Sequence, residues 1–226
     1  MKAVVILPAF NESAVIFKVL KSLPRRIKGI KKVEVVVVDD GSLDSTKDEA
    51  LKAGVNVVSH LINRGVGAAT KTGIHWAIKK KADLIITFDA DNQHYPEDIP
   101  RVIKPIIKNK ADLVIGTRFK RKQHIPTDRF ILNWFANLAT LFLFGVFSTD
   151  SQSGFRAMSK KAMDLVDFKS DRMEFSSEIL TEAKKNNLKV AEVPIRVRYT
   201  DYSRTKGQKN TNAFPIFTRF LVKLFR

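Results

Sequence analysis

The sequence predicts an α/β fold: an open, doubly wound, mostly parallel sheet with helices on both faces. Three observations predict it. Short β-branched runs alternate with amphipathic stretches through the first half of the chain. The runs are almost continuously apolar, as strands covered on both faces are. Polar clusters fall where the runs stop, and in such a sheet ligands sit beyond the carboxyl ends of the strands.

Taken in order, strands are expected at 3–7, 33–38, 55–59, 84–88 and 113–116, with helices at about 13–23, 44–53, 66–80 and 97–109. Ser42 is an expected helix cap, and Pro96 followed by Glu97 and Asp98 opens the fourth helix. The segment 130–147 is mostly apolar but is interrupted by Asn133, Asn137 and Thr140. A bilayer span needs ~20 apolar residues. The segment fits better as an interfacial helix with Trp134 and the Phe residues dipping into lipid, or as a buried helix packed on the sheet. Residues 199–212 read as a linker. In 213–226, Phe214, Phe217, Leu221 and Leu224 recur at helical spacing beside a stripe of Arg219, Lys223 and Arg226. That pattern suits a basic amphipathic helix on an anionic surface, or a helix docked on the domain with one solvated face. The expected organisation is a catalytic domain over 1–212 and this C-terminal helix.

Composition narrows the partners. Forty Lys and Arg against 23 Asp and Glu leave +17, which favours an anionic partner: phosphate, nucleic acid or an acidic lipid surface. There is no cysteine, which excludes disulfides, thiolate zinc sites and cysteine nucleophiles. The four histidines lack zinc-site spacing, and only His94 lies beside an acidic cluster. The glycine run Gly65-Val66-Gly67 has Thr70 at the third glycine position of a dinucleotide-binding loop, and no phosphate-loop Gly-Lys-Ser/Thr exists. The apolar run before Pro8 is too short for a signal peptide. No recognised nucleic-acid-binding motif appears, so nucleic acid is not an expected partner.

The strand ends carry the chemistry. Asp89 and Asp91 alternate with Ala90, so in extended chain their carboxylates face the same way. A hard divalent cation takes such oxygens while sharing substrate phosphates, and Gln93 offers a further carbonyl. The bland alternative is a solvated acidic turn. Asp39 can accept a hydrogen bond from a nucleobase N–H, with Pro8 and Phe10 as an apolar wall; alternatively Asp39 and Asp40 only make a turn with Gly41 and Ser42. The fifth strand ends in Gly116-Thr117-Arg118.

Pro8-Ala9-Phe10-Asn11-Glu12, Val38-Asp39-Asp40-Gly41-Ser42, Asp89-Ala90-Asp91-Asn92-Gln93-His94, Pro96-Glu97-Asp98-Ile99-Pro100 and Asp150-Ser151-Gln152-Ser153-Gly154-Phe155-Arg156 occur in that order. This ordered set resembles family 2 of the inverting glycosyltransferases, which have the GT-A fold. Within it the likeness is to polyprenyl-phosphate sugar transferases of the dolichyl-phosphate mannosyltransferase type. The resemblance covers roughly residues 3–210. It implies that Pro8, Phe10, Glu12, Val37 and Asp39, with Ala90 and Lys206, surround a nucleotide sugar. It also implies that Asp89, Asp91 and Gln93 hold Mg2+ or Mn2+. Arg118 resembles the arginine near the acceptor phosphate, and Asp150 and Glu178 match acidic positions on the acceptor side. Thr200 occupies a position where the family has arginine, so Arg198 or Arg204 stands in for it.

The expected function is transfer of a hexose from GDP-mannose or a UDP-sugar to polyprenyl (dolichyl) phosphate. Arg118, Arg129 and Lys206 would neutralise phosphates, with Arg198 and Arg204 beside them. The alternative is a hydroxyl acceptor in glycan synthesis, which needs a carboxylate base; Asp150 is then the first candidate. A single span at 130–147 would divide a site that the resemblance makes continuous. A peripheral position on the cytoplasmic face of the membrane follows, held directly or by a membrane-anchoring partner protein.

Overall fold

The computed structural model describes residues 1–199. The segment 213–226, Arg204 and Lys206 lie outside the described residues.

Among the described residues seven strands form one sheet: β1 (Lys2–Ala9), β2 (Lys32–Asp39), β3 (Asn56–Ser59), β4 (Leu84–Thr87), β5 (Leu113–Thr117), β6 (Arg156–Ser159) and β7 (Val190–Pro194), in spatial order β3-β2-β1-β4-β6-β5-β7. All neighbouring pairs are parallel except those of β6, which runs antiparallel to both β4 and β5. The five expected strands are present; β6 and β7 are additions. The helices are α1 (Ile16–Ser22), α2 (Thr46–Lys52), α3 (Val66–Lys79), α4 (Ile99–Ile107), α5 (Thr127–Phe144), α6 (Lys160–Leu165) and α7 (Phe175–Lys185).

Strand alternation divides the core in two. Val5, Leu7, Val35, Val37 and Ile86 pack with α1, α2 and α4, whereas Val4, Ile6, Val36, Val38 and Ile85 pack with α3, α6 and α7. At Gly73 an added Cβ would stand 2.2 Å from Ile6 Cγ2, so only glycine lets α3 lie this close to β1. The α3 N-terminus is closed by protein: the Gly67 and Ala68 N–H groups donate to the Asp171 carbonyl at 2.8 and 3.1 Å. A dinucleotide pyrophosphate has no place there.

Some local expectations needed correction. Ser42 does not cap a helix; its hydroxyl accepts the Asn11 N–H at 2.9 Å, while Asp44 takes the Thr46 N–H at the start of α2. Pro96 opens a 3-10 turn, Pro96–Asp98, that leads into α4. The 130–147 segment is helical but begins earlier, at Thr127. Among the described residues no helix is long and apolar enough to cross a membrane.

Topology sets the site. The chain winds from β1 out to β3, then returns to β4 on the other side of β1, so the ends of β1 and β4 flank the switch point where such sheets open a cleft. Because β6 is antiparallel, its entry lies at the same edge as its neighbours' exits: Arg156 pairs with Thr87 and Ile115. The polar segment 148–155 is thereby brought to the tips of β4 and β5.

Candidate active site

On the β1–β2 side, Ala9 is in register with Asp39, and Asp39 with Ser59. Asp39 is buried and its Oδ1 accepts the Ser42 N–H at 3.2 Å, so the expected turn and an acceptor beside it coexist. Phe10 is exposed at 41% and Pro8 is partly covered, as an apolar wall requires. The Glu12 N–H donates to Thr46 Oγ1 at 2.7 Å. Val37 and Ala90 are buried in the core at the strand ends. The neighbouring Asp40 is a clamp: its carboxylate accepts the Arg64 and Gly65 N–H groups and meets His60 Nδ1 at 2.7 Å.

At the β4 tip the chain turns at Ala90–Asn92 instead of continuing extended, with Asn92 at φ 61°. Asp89 lies against the Gly154 backbone, where an added Cβ would stand 2.1 Å from its Oδ1, and its Oδ2 is 2.9 Å from His94 Nε2. Asp91 accepts the Gln93 N–H at 3.0 Å and the Gln93 side-chain amide at 2.5 Å. Gln93's side-chain carbonyl, Oε1, is therefore the group left for a cation. Burial opposes ionisation of Asp89, but its hydrogen bond to His94 and the positive charges of Arg118 and Arg156 hold its pKa below the ordinary value. Burial pushes the Asp91 carboxyl up, and the negative charge of Asp89 adds to this. Two carboxylates that repel each other, with an amide carbonyl beside them, make a donor set that fits a hard divalent cation. No cluster of three or more His, Cys, Asp or Glu able to hold a metal occurs among the described residues; substrate phosphate and water would complete the coordination.

On the β5 side, Arg118 and Asp150 form a fork. Wholly buried Asp150 accepts the Arg118 backbone N–H at 2.9 Å, Nε at 2.7 Å and Nη2 at 2.5 Å, while Nη2 also donates to Asn133 Oδ1 at 2.9 Å. Burial works against the guanidinium charge, but the charge and hydrogen bonds of Asp150 overcome it and keep Arg118 protonated. Arg129 lies one helical turn before Asn133, its Nε 3.8 Å from Asp128. Arg198 joins the β4 tip: its backbone N–H donates to the Gln93 main-chain carbonyl at 2.9 Å and its guanidinium lies 4.2 Å from the Tyr95 ring centroid. Glu178 lies on α7, where it accepts the Lys169 and Ser170 N–H groups at 2.8 and 2.9 Å.

Sequence reasoning passed over two residues. Among the described residues Arg156 is the largest fully buried side chain, donating Nε to Ser153 O at 2.9 Å and Nη2 to Ser151 O at 2.6 Å; burial pushes its pKa down to about 10, although Asp150 and Asp89 act against the shift. Tyr199, whose phenol pKa is raised by burial, stands within electrostatic reach of Arg118 and Asp150. The motif around Arg156 was visible, but nothing local signals a buried arginine.

Beside the fork, α5 turns its apolar side outward. Phe130, Ile131, Trp134, Phe135, Phe142 and Phe147 are all at least 46% exposed. A cavity of about 280 Å³ opens here, lined by Phe119, Phe130, Trp134, Leu138, Leu141 and Phe147 among others.

The family model for glycosyl transferase family 2 matches residues 4–166. The chain belongs to glycosyltransferase family 2. Among relatives of this family-2 transferase, the UDP-N-acetylglucosamine–dolichyl-phosphate N-acetylglucosaminyltransferase of Methanococcus voltae is 36% identical over 96% of this chain and 94% of its own length. The undecaprenyl-phosphate mannosyltransferase of Micrococcus luteus is 30% identical over 86% of this chain and 83% of its own. The glucosyl-3-phosphoglycerate synthase of Mycobacterium tuberculosis, crystallised with Mn2+, UDP-glucose and phosphoglyceric acid, superposes with a TM-score of 0.70 at 20% identity, covering 94% of this chain and 77% of that one. That likeness establishes the GT-A-like fold.

Proposed function

We infer that this transferase moves a sugar from a nucleotide diphosphate donor to a polyprenyl phosphate at a membrane surface, with inversion. One observation carries the acceptor assignment: the Arg118 fork lies beside the exposed apolar side and cavity of α5. A clamped guanidinium next to an oily recess complements a phosphate attached to a prenyl chain. The two relatives, named for dolichyl and undecaprenyl phosphate acceptors, support the reading. They differ in donor, so the sugar is left to experiment.

Asp39 accepts a hydrogen bond from the nucleobase against the Phe10 wall, and the diphosphate reaches the β4 tip. There Asp89, Asp91 and Gln93 would hold Mg2+ or Mn2+, which would screen the diphosphate charge and stabilise the leaving nucleoside diphosphate. Arg118, Arg129 and Arg198 orient the acceptor phosphate, and Lys206 adds positive charge around the diphosphate. An acceptor phosphate oxygen forms the new bond to the anomeric carbon from the face opposite the departing diphosphate. That phosphate is already anionic, so no proton need be removed and the protein supplies positioning and charge balance. A hydroxyl acceptor fits less well: Asp150, its first candidate base, has both oxygens engaged by Arg118.

The test is incubation with Mn2+, dolichyl phosphate and a panel of nucleotide sugars, followed by lipid extraction. A glycolipid from at least one donor is expected. Extension of a soluble glycan with no glycolipid would overturn the reading.

A further inference from the structure

The apolar segment of α5 contains three polar residues, Asn133, Asn137 and Thr140, at i, i+4 and i+7. In the structure they form one stripe that faces inward, opposite the exposed aromatic side. The stripe grips the segment that enters β6. Asn137 holds it twice: Nδ2 donates to the Thr149 carbonyl at 2.8 Å, and Oδ1 accepts the Ser151 N–H at 2.8 Å. Thr140 Oγ1 lies 3.2 Å from Ser151 Oγ and 2.9 Å from Ser177 Oγ of α7, and all three residues are wholly buried. Between Thr149 and Ser151 stands Asp150, the carboxylate that fixes Arg118; four residues further on, Gly154 supports Asp89.

We propose that Asn137 and Thr140 are positioning residues, through which the seating of α5 sets the 149–151 segment and thus the placement of Arg118 for the acceptor phosphate. This rests on the polyprenyl-phosphate reading above. The physical ground is the cost of the alternatives. A buried hydroxyl or amide that loses its partner is penalised, so the stripe locks α5 and the segment into one relative arrangement. Of the elements gripping the segment, α5 is the one that also carries the exposed apolar side. A lipid-side contact that shifts α5 is thereby felt at Arg118, 15 residues away from Asn133 and hydrogen-bonded to it. The donor half, built on β1, β2 and the β4 tip, meets this segment at Gly154, whose carbonyl has its own anchor in the Thr87 hydroxyl at 2.7 Å.

The experiment compares wild type, Thr140→Val, Thr140→Ser and Asn137→Asp in steady-state assays with dolichyl phosphate and the donor found active, alongside Mn2+–nucleoside diphosphate binding by calorimetry and thermal unfolding. Thr140→Val keeps the shape and removes the hydroxyl. It is expected to lower kcat/KM for the lipid at least tenfold, to leave nucleotide Kd within threefold, and to be rescued by Thr140→Ser. Should Thr140→Val fail to fold, Asn137→Asp serves instead: it retains the acceptor for Ser151 and loses the donor to Thr149, and the same split is expected. Equal losses in nucleotide binding and acceptor turnover, or wild-type acceptor kinetics in the folded variants, would overturn the proposal. Absence of lipid turnover in the wild type would instead sink the acceptor reading on which it rests.

Discussion

Replacing Asp150 by Asn tests the Arg118 fork at its most constrained point. The change preserves shape and one acceptor oxygen, but it removes the negative charge and turns an NH2 towards a guanidinium. Asp150 is 0% exposed, and Arg118 retains only 15% of its side-chain exposure, so neither partner can recover full hydration. Removing one partner of such a pair costs on the order of 3–5 kcal/mol; with one oxygen retained, the lower end, about 3 kcal/mol, is expected. For a domain of this size that is roughly a 6–12 °C fall in Tm. Activity should suffer more than donor binding, because an arginine displaced by about an ångström can cost on the order of 100-fold in rate. The assays are calorimetric unfolding, nucleotide binding and lipid turnover, completed by a double-mutant cycle with Arg118→Met. The Asp150→Asn/Arg118→Met protein loses both charges and should be more stable than the sum of the single losses by roughly 1–3 kcal/mol. Additive losses, or an Asp150→Asn protein within about 0.5 kcal/mol of wild type, would refute the fork as a coupled buried pair.

Other consequences are sharp enough to measure. Gly154→Ala places a Cβ where Asp89 Oδ1 now lies; Mn2+ and nucleotide affinity should fall at least tenfold while unfolding shifts much less, as followed by titration and thermal scans. Asp91→Asn should abolish turnover. Because burial and Asp89 raise the Asp91 pKa in the folded state, its ionised form works against folding as pH rises through that raised value, so metal-free Asp91→Asn should be at least as stable as wild type at pH 7. Mn2+ with nucleotide should raise the Tm of wild type, by about 2.7 kcal/mol of linkage at 100 times Kd, and leave Asp91→Asn unchanged. Trp134→Ser combined with Phe142→Ser should weaken sedimentation with anionic vesicles severalfold without changing nucleotide affinity.

Legibility in the sequence followed local chemistry. β1, β2, β4 and β5 are β-branched runs whose apolar character survives any context, and four of the polar clusters that matter end those runs. The sequence Arg156-Ala157-Met158-Ser159 has neither length nor alternation, and β7 ends in proline; both are strands because neighbours on the sheet accept them, a tertiary cause invisible in a short window. The α7 segment carries a helical pattern around Ile179, Leu180 and Ala183 that polar Ser176 and Ser177 obscure, since both are buried. Asn133, Asn137 and Thr140 looked like defects in an apolar run, yet they are its inward face. Contacts such as Arg118–Asp150 join residues 32 apart, and no periodicity encodes such a distance. Glu178 carries an expectation from resemblance, and its carboxylate also accepts the Lys169 and Ser170 N–H groups, a task for which an acidic helix residue has no local mark.

The most direct test of the account is ³¹P NMR of a reaction containing enzyme, Mn2+, the preferred nucleotide sugar and a polyprenyl phosphate. Conversion of the lipid monoester resonance into a phosphodiester, in step with release of nucleoside diphosphate, is the predicted result. Consumption of the nucleotide sugar while the lipid monoester persists would contradict it.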